Sequence, residues 1–301
     1  MLTKKIVLAL VLSIISYIQA QTIILDLEND VFAHEDFDYT HGTIITYIGN
    51  PIFPKSIFDF IMDEEVDSIQ HSIFQFIYTP QEIDVEELQP NDRPWSGWLG
   101  YQNLASYQKD KRNIKLGYQI GIIGPNALSD QSQTKIHEWI DATTPLGWKH
   151  QIDNRIAINL LGEYQYKLYD NKNMDVIGSV YSLTGSSHVL AGTSLLTRIG
   201  WNIPDGFEDI TAEPIPRGIH DKLSLYFLGG VDGRYVAYNA TLDKADDYDI
   251  DKRPFVADMS MGIGFRYDQF SLIYKYVWRT REFDEEKNIK PFGTISISWN
   301  F

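Results

Sequence analysis

The sequence predicts a transmembrane antiparallel up-and-down β-barrel of about twelve strands, all-β apart from one short loop helix. Three observations carry that expectation. The chain opens like a secretory leader, continues in aromatic-rich segments of alternating polarity, and ends on Phe301 directly after the last such segment.

Met1 to Ala20 carries Lys4 and Lys5, an apolar core from Ile6 to about Ile18 and a short Gln19-Ala20 exit. That is the pattern of a signal peptide cleaved after Ala20, with an apolar run too short to act as a spanning anchor. Residues 21–301 then form one barrel domain, without internal repeats, low-complexity tracts or linkers. Removing Lys4 and Lys5 leaves 24 basic against 41 acidic residues, a net charge of −17. Such acidity excludes nucleic acid as a natural partner. The absence of cysteine excludes a disulfide framework, thiol chemistry and a lipid-anchored N-terminus.

No later segment has the continuous apolar run of a membrane helix. Aromatic residues make up 13% of the chain, and most fall in alternating segments. In Gly293 to Phe301, Ile295, Ile297, Trp299 and Phe301 alternate with Thr294, Ser296, Ser298 and Asn300. In Arg155 to Leu168, one face carries Ile156, Ile158, Leu160, Tyr164, Tyr166 and Leu168; the other carries Arg155, Asn159, Glu163, Gln165 and Lys167. Phe270 to Arg281 sets Phe270, Leu272, Tyr274, Tyr276 and Trp278 opposite Lys275, Arg279 and Arg281. Alternation of period two puts the two sets on opposite faces of a strand. A secreted sandwich alternates too. Charges of both signs on one face with aromatic residues on the other suit a lipid-facing band around a polar interior.

Strands are expected near 22–29, 40–49, 69–79, 95–108, 112–124, 153–169, 173–184, 188–202, 222–239, 255–267, 269–281 and 291–301. Twelve is an even number, as a single-chain bacterial barrel requires. With both termini in the periplasm, loops 30–39, 80–94, 125–152, 240–254 and 282–290 are extracellular, and most are longer than the opposite turns. Asp268-Gln269 and Tyr169 to Asn173 read as tight periplasmic turns. Segment 203–221 is the exception, long and on the periplasmic side.

Leu27 to Gly42 brings Glu28, Asn29 and Asp30 to the end of the first strand and Tyr39, Thr40 and His41 to the start of the second. Asn and Asp favour turns, so hairpin chemistry explains this cluster as well as a site does. Loop 125–152 lies at the same end and alone carries a helical pattern. Ser129 is placed to cap it, Ile136, Trp139 and Ile140 follow helical spacing, and Pro145 and Gly147 lie beyond its end. Gln133 and His137, four apart, share a face. The helix is expected to rest its apolar side on the membrane-facing rim and aim His137 at the barrel wall. A neutral imidazole is a competent general base near neutral pH, although a lone loop histidine is more often solvated.

The END motif followed by YTHG, Thr79-Pro80 with Asp92-Arg93-Pro94, and Gly124-Pro125 with Gln133 and His137 together resemble the lipid A 3′-O-deacylase family of outer-membrane barrels. Asp251-Lys252-Arg253-Pro254-Phe255 and Arg279-Thr280-Arg281-Glu282-Phe283 extend the likeness over nearly the whole mature chain. The resemblance implies a twelve-stranded barrel in the cell outer membrane, with a calcium-dependent site on the extracellular side between wall and loop helix. Its substrate would be the lipid A of lipopolysaccharide, with outer-membrane lipids around it. Carried over, Asn29 and Asp30 belong to the calcium and active-site wall, Thr40 is the active-site hydroxyl, His137 the general base, and Gln133 a further matching position. Two positions depart: Ile83-Asp84 stands where some members have Lys-Arg, and Thr143 where such members have an acidic residue.

The chemistry agrees with that likeness. Ca²⁺ takes the hard oxygens available around Asn29 and Asp30, and an ion there would relieve the repulsion within Glu28 to Asp30. His34, Glu35, Asp36 and Asp38 could add ligands, although a solvated acidic loop explains each of them. The chain has no Gly-x-Ser-x-Gly elbow for a serine nucleophile. Two other readings remain at this stage: a passive porin-like or structural barrel, and an outer-membrane phospholipase.

Overall fold

In the computed structural model the described residues are 20–29, 39–49, 58–60, 62, 66–207, 223–243, 247–286 and 290–301. They form a closed antiparallel barrel of twelve strands. The strands are β1 (Ala20–Asn29), β2 (Tyr39–Gly49), β3 (Ser68–Tyr78), β4 (Ser96–Lys109), β5 (Arg112–Ile123) and β6 (Arg155–Asn171). The second half comprises β7 (Met174–Gly185), β8 (His188–Trp201), β9 (Leu223–Asn239), β10 (Phe255–Tyr267), β11 (Phe270–Arg279) and β12 (Lys290–Asn300). Each strand pairs with its sequence neighbour, and β1 closes on β12 from Thr22↔Asn300 to Asn29↔Gly293. Closure leaves no unpaired edge, the condition for a sheet to sit in hydrocarbon. No helix among the described residues is long and apolar enough to cross a membrane.

Boundaries lie within two residues of expectation for every strand, and the alternation holds. Ile156, Ile158, Leu160, Tyr164, Tyr166 and Leu168 of β6 are exposed on the outside of the wall, while Asn159, Gln165 and Lys167 are buried in the lumen. Arg281 falls in the loop after β11 rather than within the strand. The leader and loop residues 30–38 lie outside the described residues, apart from Ala20, which is the first residue of β1.

Among the described residues the lumen is plugged towards both ends. At the short-turn end, Ile203 and Phe207 pack on Ile177, Leu196, Tyr226, Leu228 and Ile273. Arg198 anchors that segment, pairing with buried Asp175 and donating to the carbonyls of Pro204 and Gly206 at 3.0 and 2.9 Å. This explains why the turn after β8 breaks the pattern of short turns: its first residues fold into the barrel. At the long-loop end, Phe74, Trp98, Ile123, Ile152, Ala157 and Ala240 form a second core. Between them lies a cavity of ≈ 420 Å³, bounded by Asp26, Glu163, Asp232, Arg234, Asp258 and Arg279 among others.

Arg93 seals the lumen above that cavity. Its guanidinium donates to one Glu282 oxygen at 3.1 and 2.8 Å and lies 4.8 Å from the Tyr78 ring centroid. Burial opposes charge on Glu282, but Arg93, with Arg279 and Arg234, outweighs it and holds the carboxyl below its ordinary range. Glu286 is pushed up to about 7 by burial and by the charge of Glu282. The loops above interlock: Lys252 bridges Phe283, Arg253 N donates to the Glu282 carbonyl, and Arg253 pairs with Asp284 at 2.5 Å. Planar-bilayer recordings of the purified protein should therefore show no stable single-channel steps. Persistent, ohmic openings would contradict a lumen closed in this way.

Candidate active site on the outside of the wall

At the long-loop end, strand alternation sorts the rim residues onto two faces. Asn29 shares the outward face of β1 with Leu25 and Leu27, and neighbouring strands continue two outward rows. The upper row runs His41↔Ile77↔Gly97 and the lower Leu27↔Thr43↔Gln75↔Leu99. Glu28 lies on the opposite face with Asp26 and is close enough to act on it electrostatically. The carboxylate expected beside Asn29 in an ion site thus points to the lumen. Thr40 occupies β2 where the register shifts between Tyr39 and His41. Asp30, His34, Glu35, Asp36 and Asp38 lie outside the described residues.

The helix α1 (Ser129–Ile140) lies across the outward faces of β3 and β4. Two backbone features bring it there. Gly124, at φ +98, leaves β5 so close to Asp153 that an added Cβ would sit 2.7 Å from its carbonyl oxygen. After one turn of 3₁₀ helix (Pro125–Ala127), Leu128 takes a left-handed conformation, φ 59 and ψ 24, that redirects the chain along the wall. This geometry costs a non-glycine residue about 1–2 kcal/mol. Gln75 Nε2 secures the junction by donating to the Ala127 carbonyl at 2.7 Å.

Leu128, rather than Ser129, occupies the N-cap, with no side-chain cap. Ser129 is the first helical residue and is buried against Gly97. The face turned to the wall is Ser129, Gln133 and His137, with Gln133 2% and His137 9% exposed. His137 aims at the wall as expected, but Ile136, Trp139 and Ile140 are exposed rather than resting on the rim. The small side chain of Ser129, set against a glycine, lets the helix approach closely; isoleucine or tryptophan would hold it away.

Gln133 and His137 both have fixed orientations. Trp148 Nε1 can only donate, and it does so to Gln133 Oε1 at 2.8 Å. The Gln133 Nε2 is therefore the free end, buried and without a hydrogen-bond partner among the described residues. His137 Nδ1 donates to the Thr143 carbonyl at 2.5 Å, which assigns the proton to Nδ1 and leaves Nε2 as the basic nitrogen. Asp141, left-handed at φ 57, ends the helix and turns the chain so that this carbonyl reaches back. The contact uses the main chain, so the absence of an acidic side chain at Thr143 leaves it intact. His41, whose Nε2 lies 2.5 Å from Thr43 Oγ1, is close enough to His137 to interact electrostatically. Sequence reasoning noticed His41 only as a neighbour of Thr40; the cross-strand pairing with Ile77 puts it opposite the helix.

Behind the site is an apolar cluster of Ile77, Ile83, Trp95 and Trp148, with the two indoles 4.9 Å apart. Ile83 is thus a packing residue that supports the indole holding Gln133. Among the described residues no three His, Asp or Glu converge as a metal cage.

The chain matches the model of a family described as "Outer membrane protein LpxR" over residues 6–301. Among solved structures it is similar to LpxR from Salmonella typhimurium, with a TM-score of 0.78 and 20% identity over 93% of this chain and 100% of that one. The NanC porin aligns at TM-score 0.43 and 5% identity, covering 94% of this chain and 100% of that one. The KdgM porin in complex with disordered oligogalacturonate aligns at 0.40 and 7%, covering 93% and 99%. Both are too distant to bear on function. A comparison with curated proteins gave no match.

A Cβ at position 97 would lie 2.1 Å from Ser129 Oγ and 2.5 Å from its Cβ. Gly97→Ala should lift the start of α1 while leaving the barrel closed. Trypsin should then cleave at Lys135 and Lys149 faster than in wild type, and adding Ser129→Gly should restore protection. Unchanged protection in the single variant would show that the helix does not depend on this contact.

Proposed function

This chain belongs to the LpxR family of outer membrane proteins, and on that premise we propose that it is a lipid A deacylase, a carboxylic ester hydrolase removing the 3′-O-linked acyl chain. The observation that carries the reading is the pair of His137 Nε2 and Gln133 Nε2, one oriented acceptor and one donor with no partner among the described residues, held between α1 and the outside of the wall. Burying an unsatisfied amide donor costs about 1–3 kcal/mol, which packing alone gives no reason to retain. α1 and the wall meet beside the lipid-facing band, so in this reading a lipid in the leaflet reaches the pair sideways without leaving the membrane. In this reading the long loops face outwards and the substrate is lipopolysaccharide of the extracellular leaflet.

Hydrolysis begins with a water held against His137 Nε2. The imidazole takes its proton as the oxygen attacks the ester carbonyl, and returns it to the departing sugar hydroxyl as the carbon–oxygen bond breaks. Gln133 Nε2 is suited to donate to the oxyanion that forms between these steps. Thr143 fixes the tautomer throughout, and Trp148 fixes the amide. Thr40 is proposed as the hydroxyl of the site, next to His41.

Asn29 and Asp30 are the residues that would hold Ca²⁺. An amide and a carboxylate oxygen suit a hard cation that completes its shell with carbonyls and water. Glu28, facing the lumen, drops out of that set. When bound, the ion would supply positive charge near the ester carbonyl.

Purified protein should release acid from lipopolysaccharide but not from phospholipid, and lose that activity in chelator. His137→Ala and His137→Gln should each lower the rate by about 10²-fold or more. Both should keep the heat-dependent gel shift of a closed barrel. Near wild-type release by either folded variant would remove His137 as the base and make His41 the next to test. Release from phospholipid alone would favour a phospholipase.

A further inference from the structure

We propose that α1 is seated in the membrane, with Ile136, Trp139 and Ile140, and Leu128 just before them, lying among the acyl chains of the outer leaflet. The inference deepens the reading above and rests on its orientation of the barrel. It gives the helix a second task besides carrying His137: setting the depth at which the site meets the lipid.

The helix has three sides, not two. At about 100° per residue, Ser129, Gln133 and His137 form the stripe against the wall. On one flank of that stripe come Ile136 and Trp139, with Ser132 between them and Lys135 at the far edge, while Ile140 falls in line with the stripe at the helix end; on the other flank come Asp130, Thr134, Glu138 and Gln131. A loop helix surrounded by water would have no reason to segregate its two free flanks. One lying along a membrane surface would, with its apolar flank down and its polar flank up. The apolar residues are as open as the polar ones: Trp139 is 87% and Ile140 60% exposed. Leu146, on the return of the same loop, is exposed too.

The partner follows from continuity. The wall that α1 crosses presents exposed Ile73 on β3, and the two strands flanking the loop present exposed Ile120 on β5 and Ile156 on β6. These residues belong to the band that meets lipid in any membrane barrel. The apolar flank of α1 extends that band upward, and a tryptophan at its edge suits the boundary between headgroups and hydrocarbon. The occupant is therefore lipid hydrocarbon, which already covers the band that this flank continues.

The chain has no cysteine, so one engineered thiol can carry a nitroxide without background. Trp139→Cys and Ile140→Cys would be compared with Glu138→Cys and Gln131→Cys in vesicles of lipopolysaccharide and phospholipid. Collision with oxygen, which partitions into hydrocarbon, is measured against collision with a water-soluble nickel chelate. The oxygen-to-nickel ratio at 139 and 140 should exceed that at 138 and 131 by at least about fivefold. Equal ratios at all four sites would overturn the proposal by putting the flank in water. Low access to both reagents at 139 and 140, with spin–spin broadening, would overturn it in favour of a second copy. Position 140 carries the test if Trp139→Cys fails to give a heat-modifiable barrel. No turnover is read, so a barrel without deacylase activity would still answer this question.

Discussion

The pairing of β1 with β12 is the constraint on which the rest of this protein depends. In hydrocarbon every backbone N–H and C=O needs a partner within the protein, and a twelve-stranded sheet meets that need only by closing. Closure fixes a register, and register fixes parity. Once Leu27 faces lipid, Asn29 does too, while Asp26 and Glu28 face the lumen. The two faces then follow different physical chemistry. Inside, charge is matched by charge, as in Arg279, Asp258 and Arg234, and the long-loop end is shut by Arg93 on Glu282. Outside, the described wall is mainly apolar, with His71 and Asn103 paired lower on β3 and β4 and a polar group gathered where α1 covers it.

That covered group is where chemistry can occur. Polar side chains on a lipid-facing wall are costly unless another element shields them. Here α1 covers Gln75 of the wall and turns its own Gln133 and His137 against it, helped by a glycine that lets it come close and by left-handed residues at Leu128 and Asp141 that begin and end it. The result is a polar seam between α1 and the outside of the wall. A substrate anchored by several acyl chains would lose much hydrophobic stabilisation by entering a lumen; a seam on the outside spares it that transfer.

The fold was legible from the sequence because period-two alternation is set by lipid on one side and paired polar groups on the other, as in Arg155 to Leu168. Of the site, His137 and Gln133 were legible because i, i+4 spacing on a helix fixes a shared face. Other features depend on tertiary geometry that spacing does not encode. Ser129 read as a cap, yet the close approach of Gly97 drew it into the helix and buried it. Glu28 read as a ligand because proximity in sequence conceals the parity of the strand. Asp92-Arg93-Pro94 stood out as a motif, but its contacts are structural: Asp92 accepts from the amides of Gln81 and Arg93, and Arg93 shuts the lumen. The exposed flank of α1 was misread because the rim was taken as the nearest apolar surface, when the surrounding lipid is a larger one.

The central claim, that this outer-membrane barrel works on lipid A from a seam on its outer wall, is tested most directly on the lipid itself. Lipid A extracted from cells producing the protein would be compared by mass spectrometry with lipid A from cells lacking it. The account expects a species lighter by the acyl substituents of the 3′-oxygen, with the sugar backbone and amide-linked chains unchanged. Identical lipid A from both, with the barrel folded in the outer membrane and Ca²⁺ present, would contradict it.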